Sequence, residues 1–298
     1  MVAHICYIMR ILVTGVGGQL GTKIFTTANH EKYGVYFDNF LSGDNLERLN
    51  LIERENTISL IKRVKPDWVI HCAAATDVDW CEKDKKAAWD VNVEATRNVV
   101  DGCEQTNSSI AYISTSFVFD GSKEMYREDD ATNTVNNYGL TKLEGEKIVK
   151  SSGIPFIIAR TDQLYGWTNH PKNFVARILN LAKKKEKMEV FTDWYNNPTL
   201  IDNISEVLLK LIEKKCHGIY HVTGSSFINR YEWAVKISNA FGLDGTFIVP
   251  INSSKYNPAA KRPKIHMDNT KTQKDSGMKL FTIDEGLEFM KAHMEGQA

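Results

Sequence analysis

The sequence predicts an α/β fold in which a doubly wound parallel sheet carries a smaller C-terminal lobe. Two observations indicate this fold. Short apolar runs alternate with helical patterns over residues 10–161, and a chain that alternates strands with helices forms β-α-β units whose strands are parallel. Beyond residue 161 the alternation loosens and loop-rich segments become frequent, which indicates a second, smaller unit. The 298 residues are 42% hydrophobic, so a chain of this length can bury a substantial core.

The elements of the first half come in a regular order. "ILV" is a buried strand, a glycine-rich turn leads into a helix, and "YGVYFDNF" is a short strand that ends at Asp38. "ENTISLIKRV" has helical spacing, Pro66 stops that helix, and residues 68–72 form a buried strand. Then come the helix "AAWDVNVEATRNVVDGCEQT", the strand "SSIAYIST", the helix "NNYGLTKLEGEKIVK" and the strand "GIPFIIART". Right-handed crossovers of this kind place a ligand at the carboxyl ends of the strands.

The second half contains fewer regular patterns. "NFVARILNLAKKKEKMEVF" and "RYEWAVKISNAFGL" are predicted helices, "GIYHVTG" is one further strand, and "PINSSKYNPAAKRPKIHMDNTK" is a basic loop. We assign residues 1–161 and 193–225 to the sheet domain. Residues 162–192 and 226–298 form the smaller lobe, which we expect to cap the sheet.

Composition excludes several classes of partner. Lys and Arg together number 37, as do Asp and Glu, so no net charge recruits nucleic acid or an anionic membrane. No apolar run approaches the ~18 residues of a membrane span, and the first nine residues lack the features of a secretory signal. The five scattered cysteines form no C-x-x-C pair, which favours reduced thiols over disulfides or a zinc site. We therefore expect a cytoplasmic protein.

Glycines crowd the turn between the first strand and the first helix. Gly15, Gly18 and Gly21 have the spacing Gly-x-x-Gly-x-x-Gly. Such a turn lets the backbone approach a ligand closely and directs the N–H groups of a helix N-terminus at a phosphate, as in Rossmann-type sheets that bind dinucleotides. Asp38 lies where an acid accepts a hydrogen bond from the adenosine ribose, and no Lys or Arg follows it up to Asp44. The turn predicts NAD(P)H binding with NADH favoured, against the alternative of a turn that binds nothing.

Tyr138 and Lys142 are four residues apart at the start of a predicted helix, so their side chains share one face. A nearby ammonium lowers the pKa of a phenol, which fits the phenol for proton transfer near neutrality. Thr115 stands at the carboxyl end of the preceding strand, where its hydroxyl can bond to the same reacting oxygen as Tyr138. A solvated helix face and an ordinary strand-end threonine are the structural alternatives.

These motifs, in this order, resemble a known family. The glycine turn, "CAAATDVD", "VNVEAT", "STSFVFDG", "YGLTK" and "ART" are similar to the extended short-chain dehydrogenases/reductases. "GGQLG", "VFDG", "NNPT" and "KRPKIHMDNTK" narrow the resemblance to the dTDP-4-dehydrorhamnose reductase group, over nearly the whole chain from Met9. The resemblance implies a reductase of rhamnose or deoxysugar biosynthesis. Such an enzyme transfers hydride from NAD(P)H to the C4 ketone of a nucleotide-linked 4-keto-6-deoxy sugar.

The resemblance also implies a role for each site residue, with the sheet domain binding the dinucleotide and the lobe binding the nucleotide sugar. The catalytic residues would be Thr115, Tyr138 and Lys142. The cofactor-binding residues would be Gly15, Gly18, Leu20, Gly21, Asp38, Asn50, Leu51, Ala73, Ala74 and Ala75, with Tyr138 and Lys142. The substrate-binding residues would be Thr115, Ser116, Asn173 and Arg262. Arg262 would meet the diphosphate, because a guanidinium binds phosphate oxygens in pairs.

Four positions depart from the family's pattern. Ser116 and Phe117 follow the threonine where Asp-Tyr is usual, and Gln163 stands where a tryptophan is usual. All three lie where the sugar would sit, so the identity of the sugar is left open. Lys23 replaces the glutamate through which some members bind Mg²⁺ at a dimer contact. We therefore expect no such metal, and the sequence leaves open whether the chain forms a homodimer.

Other functions are compatible with the same fold. A 4,6-dehydratase carries Asp-Glu after the threonine, and a bifunctional 3,5-epimerase/4-reductase carries a cysteine where Phe117 stands, so these and other sugar-nucleotide epimerases are less favoured. A non-enzymatic alternative is the regulatory β subunit of methionine adenosyltransferase, which has this fold, binds a dinucleotide and partners another protein. The substituted sugar-site residues keep that alternative open, and turnover of a keto-sugar would exclude a purely regulatory role.

Overall fold

The computed structural model describes residues 8–39, 42–168, 173–256 and 258–294. Its strands are β1 (Arg10–Thr14), β2 (Glu31–Tyr36), β3 (Leu46–Arg48), β4 (Trp68–His71), β5 (Ser109–Thr115), β6 (Phe156–Thr161), β7 (Leu164–Tyr165), β8 (Met188–Phe191), β9 (Tyr195–Asn196), β10 (Thr199–Leu200), β11 (Gly218–His221), β12 (Ile228–Asn229) and β13 (Ile248–Ile251). Its α-helices are α1 (Gln19–Thr27), α2 (Arg54–Val64), α3 (Val78–Lys83), α4 (Lys85–Trp89), α5 (Ala95–Thr106), α6 (Asn137–Ser151), α7 (Phe174–Lys184), α8 (Ile201–Glu213), α9 (Arg230–Ala240), α10 (Thr270–Ser276) and α11 (Ile283–Ala292).

Seven parallel strands form the central sheet in the order β11-β6-β5-β4-β1-β2-β3. The strand order reverses direction between β1 and β4, so the sheet is doubly wound and the crevice at that reversal faces the carboxyl ends of the strands. The predicted fold class is therefore confirmed. The carboxyl ends carry the glycine turn after β1 and the segment after β5, so the fold brings these two motifs to one edge.

Helices cover both faces of the sheet because its strands are apolar on both sides. Ile11 and Val13 pack in one core with α1 and α8, whereas Leu12 between them packs in the other core with α2, α5 and α6. This alternation is a result of the two-residue period of a strand. Each face of the sheet is thus buried by its own helical layer.

The smaller lobe has a separate core. Aromatic and aliphatic side chains of α7, α9 and α11 pack there with β8 and β13, and Trp233 is almost fully buried among them. The division of the chain into two units stays a proposal. One segment of the range assigned to the lobe lies elsewhere, since α10 packs against β11 and α8 and Leu280 belongs to a core of the sheet.

Several predicted elements have different limits in the structure. The helix predicted over residues 173–191 ends at Lys184, because Lys185 adopts a left-handed backbone with φ 55° and the chain then enters β8. The helix predicted over residues 87–106 is interrupted by a π-helical turn at Asp90–Glu94. Asp38 lies two residues beyond the end of β2 rather than on the strand.

Two predictions about the chain's environment, reduced cysteines and the absence of a membrane span, can be compared with the described residues. The four cysteines among them are free thiols, while Cys6 and the other residues of the first seven lie outside the described ranges. No helix in the described parts of the chain combines the length and hydrophobicity that a membrane span requires.

Candidate active site

A cavity of about 230 Å³ opens at the carboxyl edge of the sheet, and we call it the sheet-edge cavity. The glycine turn forms one wall, and the ends of β5 and β6 with the start of α6 form the other. It is lined by Gly15, Gly18, Gln19, Leu20, Gly21, Cys72, Ala74, Thr76, Val78, Ile113, Ser114, Thr115, Phe117, Tyr138, Lys142, Thr161, Asp162, Gln163 and Leu164. The sheet-edge cavity therefore brings together eight of the residues that the sequence predicts for cofactor binding and catalysis.

The three glycines of the turn have different structural roles. A Cβ on Gly21 would lie 2.2 Å from the carbonyl oxygen of Gly15, and one on Gly15 would lie 2.6 Å from the backbone nitrogen of Ala73. These two glycines are required by close backbone packing. Gly18 is the N-cap of α1, and a Cβ there would meet only the Gly15 oxygen, at 3.3 Å. The backbone at Gly18 thus faces the open cavity at the N-terminus of a nine-residue helix, which is the arrangement that binds a phosphate.

Thr115, Tyr138 and Lys142 meet on the opposite wall. Thr115 is the last residue of β5, and its hydroxyl accepts a hydrogen bond from the N–H of Phe117 at 3.3 Å. The start of α6 packs closely on this segment, because a Cβ on Gly139 would lie 2.1 Å from the Phe117 carbonyl oxygen. This packing holds Tyr138 beside Thr115, and Lys142 comes one helical turn later. All three side chains are buried apart from their access to the cavity.

Burial is the largest influence on the pKa values of Tyr138 and Lys142. It raises the pKa of Tyr138, and a hydrogen bond with Thr115 opposes that rise. It lowers the pKa of Lys142 to about 7, although Cys72 and Glu146 act in the opposite direction. The Lys142 ammonium lies over the ring of Tyr112, 4.1 Å from its centroid. We expected Lys142 to lower the pKa of Tyr138, but desolvation outweighs any such effect in this structure, and the phenol is protonated at neutral pH.

Asn92 connects the segment after β4 to helix α6 by hydrogen bonds. It lies in the π-helical turn, accepts a hydrogen bond from the N–H of Ala75 at 2.7 Å, and donates to the Ala75 carbonyl at 3.1 Å and to the Thr141 hydroxyl at 3.0 Å. Thr141 immediately precedes Lys142 on α6. Asn92 belongs to the quoted motif "VNVEAT", but the sequence offered no reason to single out its side chain, because a regular helix would have aimed it elsewhere.

A second cavity of about 360 Å³ lies between the sheet domain and the lobe, and we call it the lobe cavity. The two cavities share Thr76, Val78, Phe117 and Gln163. The rest of the lobe cavity is lined by Asp77, Asp79, Phe174, Arg177, Trp194, Tyr195, Asn196, Arg230, Arg262 and Pro263. Three arginines and several aromatic rings, those of Trp194 and Tyr195 among them, give it the chemistry of a site for an anion that carries a flat ring.

Arg262 is held in place inside the lobe cavity. Its guanidinium forms a two-pronged ion pair with Asp79, with N–O distances of 3.1 and 2.5 Å, and lies 4.7 Å from the ring centroid of Trp194. Trp194 in turn stacks on Phe191 with ring centroids 4.0 Å apart. The ion pair lowers the pKa of Asp79. Sequence reasoning had found Arg262 but neither Asp79 nor Trp194.

Gln163 stands at the junction of the two cavities in a strained backbone conformation. Its φ is +31°, which is uncommon for a residue other than glycine. Its side-chain oxygen accepts a hydrogen bond from Arg230, and Arg230 also donates to Asn196 at 2.8 Å and lies over the ring of Phe174. These contacts hold the Gln163 side chain at the position where the resemblance predicts a tryptophan.

Other predicted cofactor residues lie outside the lining of both cavities. Asp38 is exposed, and its neighbour Asn39 packs on the glycine turn, since a Cβ on Gly17 would lie 2.4 Å from the Asn39 carbonyl oxygen. Asn50 and Leu51 come after β3; the Asn50 side chain accepts the Ile52 N–H and the Leu51 carbonyl accepts from Asn98. Ala73 packs on Gly15, and Ala75 binds Asn92. Their roles stay predictions.

Two predicted substrate residues have local structural partners. Asn173 caps α7, with its side-chain oxygen 3.4 Å from the N–H of Ala176 and its amide nitrogen bonded to the Gly166 carbonyl. Ser116 is buried and shares a hydrogen bond with Asp162. Lys23 forms an ion pair with Asp202 of α8. Within the described ranges there is no group of three or more His, Cys, Asp or Glu side chains that could hold a metal ion.

Comparisons with known proteins identify the family of the chain. The family model described as RmlD substrate binding domain matches residues 9–295. The dTDP-4-dehydrorhamnose reductase of Aggregatibacter actinomycetemcomitans is 31% identical to the chain over 300 residues, which cover 96% of this chain and 99% of that protein. The methionine adenosyltransferase 2 subunit beta of Rattus norvegicus is 30% identical over 86% of this chain and 78% of that protein.

A solved structure has the same architecture. The dTDP-4-dehydrorhamnose reductase of Bacillus anthracis, solved in complex with NADP, superimposes with a TM-score of 0.87 at 29% identity, covering 96% of this chain and 100% of that one. Fold, motif order and family model thus coincide over almost the whole length. The chain is a member of the RmlD substrate binding domain family.

Proposed function

We propose that this protein is an NAD(P)H-dependent reductase of the C4 ketone of a nucleotide-linked 4-keto-6-deoxy sugar. The observation that carries the proposal is the convergence of Thr115, Tyr138 and Lys142 on one cavity, opposite a phosphate-ready glycine turn, with an arginine-lined cavity opening from it. The related reductases from A. actinomycetemcomitans and B. anthracis support the same activity.

The dinucleotide fits the sheet-edge cavity. Gly18 leaves room for a pyrophosphate at the N-terminus of α1, and Leu20 and Ala74 supply apolar walls along the path toward Tyr138. When bound, NAD(P)H supplies the hydride. Lys142 would hold the nicotinamide ribose. With its pKa lowered to about 7, its amine can both accept and release a proton at neutral pH.

The chain's own residues handle the carbonyl oxygen. Tyr138 is protonated at neutral pH because burial raises its pKa, so its hydroxyl can donate a proton to the oxygen as negative charge develops there. When the carbonyl replaces the hydrogen bond between Thr115 and Tyr138, the Thr115 hydroxyl can donate a second hydrogen bond to the carbonyl oxygen and orient it. Positioned donors of this kind stabilise the transition state more than the ground state.

The lobe cavity suits the nucleotide diphosphate part of the substrate. Arg262 presents a guanidinium that can bind phosphate oxygens in pairs, and Trp194 offers an aromatic face beside it. Arg177 and Arg230 add positive charge to the same walls. We infer that Arg262 exchanges part of its pairing with Asp79 for the diphosphate.

We also propose that NADH is the preferred cofactor. Asp38 is exposed next to the glycine turn, and a carboxylate there would accept hydrogen bonds from a ribose 2′-OH and repel a 2′-phosphate. The relative from B. anthracis was solved in complex with NADP, so the cofactor preference must be measured on this chain.

The alternative of a regulatory subunit is supported by the mammalian relatives. However, the site has no feature that would distinguish such a subunit from a reductase. Thr115, Tyr138 and Lys142 all line one cavity, and this arrangement favours catalysis over cofactor binding alone. We further propose a cytoplasmic location and, as the assembly to test, a homodimer, which light scattering on the purified protein would measure.

The testing experiment monitors NADH and NADPH oxidation with TDP- and UDP-linked 4-keto-6-deoxy sugars, each with and without a separate 3,5-epimerase. Turnover would support the reductase, and turnover that needs no added epimerase would support a bifunctional enzyme. Tight dinucleotide binding without turnover of any of these sugars would refute the proposal and favour the regulatory role, which co-purification with a methionine adenosyltransferase would test.

A further inference from the structure

A second polar group lies beside the catalytic residues, at the end of the neighbouring strand. β5 and β6 pair in parallel with Thr115 opposite Thr161, so Ser116 and Asp162 also come side by side. Thr161 and Asp162 both line the sheet-edge cavity. They are largely buried, with 9% and 8% of their surfaces exposed. The site therefore contains a carboxyl group and a hydroxyl that the reduction step does not use.

Asp162 is held by donors on three sides. Its Oδ2 accepts the N–H of Asn197 at 2.8 Å, and the Ser116 hydroxyl and the N–H of Gln163 also donate to it. Arg230 is the cation whose charge acts on it. A carboxylate can accept about four hydrogen bonds, so these three donors leave one position for a further donor. A ligand in the cavity can supply that donor.

The Thr161 hydroxyl is unpartnered. Its Oγ1 is buried and has no hydrogen-bond partner among the residues that the structure describes. Buried polar atoms are nearly always bonded, and an orphaned one at a cavity wall indicates a bond that a bound molecule completes. Thr161 and Asp162 therefore both line the sheet-edge cavity, one with an unpartnered hydroxyl oxygen and the other with one unused acceptor position.

We propose that Asp162 and Thr161 bind the C3 hydroxyl of the sugar and make the enzyme specific for substrates that carry it. The inference rests on the proposed function. In a 4-keto-6-deoxy hexose, C5 bears a methyl group and the ring oxygen, so the hydroxyl next to the carbonyl is the one on C3. With the carbonyl at Thr115 and Tyr138, its neighbour falls at the end of the adjacent strand. The Asp162 carboxylate accepts a hydrogen bond from the hydroxyl, and the Thr161 hydroxyl donates one to the hydroxyl oxygen.

The charge on Asp162 gives this contact a pH dependence. Burial raises the pKa of the carboxyl to about 6, against the hydrogen bonds from Asn197 and Ser116 and the charge of Arg230. Tyr138 is the titratable group facing it from α6, and the Asp162 charge raises the pKa of Tyr138. Below pH 6 the carboxyl is protonated and has fewer acceptor positions. The KM for the sugar should therefore rise as the pH falls through 6.

The experiment compares 4-keto-6-deoxyglucose with its 3-deoxy analogue on the wild type, Asp162→Asn and Thr161→Val. Both sugars are linked to the nucleotide, TDP or UDP, that the wild type accepts, and both are supplied with a separate 3,5-epimerase if the wild type needs one. A site that bonds a substrate hydroxyl rejects the analogue that lacks it, so the wild type should prefer the 3-hydroxy sugar by about 100-fold in kcat/KM. Asp162→Asn should reduce that preference to about 10-fold or less, and Thr161→Val should weaken it by a smaller factor. Asp162→Asn should also remove the rise in KM near pH 6. Exposed Asp244→Asn is the matched control.

Dinucleotide affinity measured by titration reports whether each variant keeps its fold. A preference unchanged in both variants, or an equal loss on both sugars, would overturn the specificity role while leaving the reductase intact. Absence of turnover by the wild type on the TDP- and UDP-linked 3-hydroxy sugars, each with and without the epimerase, would overturn this inference and the proposed function together. A variant Asp162→Asn that fails to fold leaves Thr161→Val, which removes only the unpartnered hydroxyl, to decide the question.

Discussion

The two cavities differ in how they are built. The sheet-edge cavity takes its polar groups from strand ends, the glycine turn and one helix, and they are buried. The lobe cavity takes Asp79, Trp194, Arg230 and Arg262 from four separate segments. In the first cavity burial moves the pKa of Lys142 to about 7 and that of Asp162 to about 6, whereas the second cavity holds arginines that are charged at neutral pH, Arg230 among them with its pKa lowered only to about 10. This difference suggests that reaction chemistry resides in the first and recognition of the nucleotide in the second, so substitutions in the two should affect different kinetic constants.

The largest effect should come from the phenol. Tyr138→Phe should lower kcat about 1,000-fold, because it removes the proton donor, while the dissociation constant for the dinucleotide stays within about threefold. Stopped-flow turnover and cofactor titration measure the two quantities. Tyr33→Phe, which removes an exposed hydroxyl bonded to Glu31, is the control. Activity that survives in Tyr138→Phe would contradict the assignment of the reaction chemistry to the sheet-edge cavity.

Next in size is the effect of the lobe-cavity arginine. Arg262→Ala should raise the KM for the nucleotide sugar by about 10- to 100-fold with kcat nearly unchanged, because its binding energy is the same in the ground and transition states. Arg262→Lys should recover only part of the loss, since an ammonium cannot bind two phosphate oxygens in a fork. Arg54→Ala, which breaks a surface pair with Asp101, serves as the control. A fall in kcat at unchanged KM would contradict the recognition role.

A smaller effect separates two glycines of the same turn. Gly18→Ala should fold and weaken dinucleotide binding about 10-fold, because its Cβ enters the open cavity. Gly21→Ala should fail to give a stable protein, because its Cβ would lie 2.2 Å from a backbone oxygen. Thermal denaturation and cofactor titration measure both. Equal dinucleotide affinity in the wild type and Gly18→Ala would argue against a phosphate at that position.

The smallest effect concerns stability. The pKa of Lys142 is lowered to about 7 by burial, so the folded state binds fewer protons than the unfolded state between pH 7 and the ordinary lysine pKa of 10.5. Stability therefore rises with pH over that interval, and the cost is full below pH 7. Lys142→Met should be inactive yet more stable by about 2 kcal/mol at pH 6.5.

Urea unfolding at pH 6.5 and pH 9.5 would measure this change, and the advantage of Lys142→Met should shrink at the higher pH. Lys147→Met, on the exposed face of the same helix, is the matched control and should show no such trend. An advantage that is equal at both pH values would mean that packing, and not the buried charge, explains the gain.

Much of the sheet-edge cavity was predictable because its residues sit in short contiguous motifs. Gly15, Tyr138 and Thr115 are each fixed by a local strand-turn-helix pattern, and parallel strands bring their carboxyl ends to one edge. Six of the seven strands of the sheet were predictable from the alternation of strands and helices, whereas β3 is too short to be seen in the hydrophobic pattern.

The remainder depended on information that is not local. Asp162 and Gln163 gain their roles from the register of β5 against β6 and from contacts with Arg230, none of which a spacing reveals. Trp194 reaches the lobe cavity through the packing of a loop on Arg262. The helix predicted over residues 173–191 was too long because the lysines continue a helical composition, and the left-handed Lys185 that ends it has no sequence signature.

The π-helical turn at Asp90–Glu94 has a consequence for how this chain can vary in length. The N–H of Ala95 reaches back five residues, to Asp90, so the turn holds one residue more than regular helix geometry would accept. Deleting one residue here would restore a uniform helix with little rotation between its halves, because the bulge absorbs the extra residue, but it would move the Asn92 amide away from Ala75 and Thr141. Insertions and deletions should therefore be tolerated in surface loops and selected against here. A one-residue gap that an alignment opens within this helix would therefore mark a relative that has lost the Asn92 contacts.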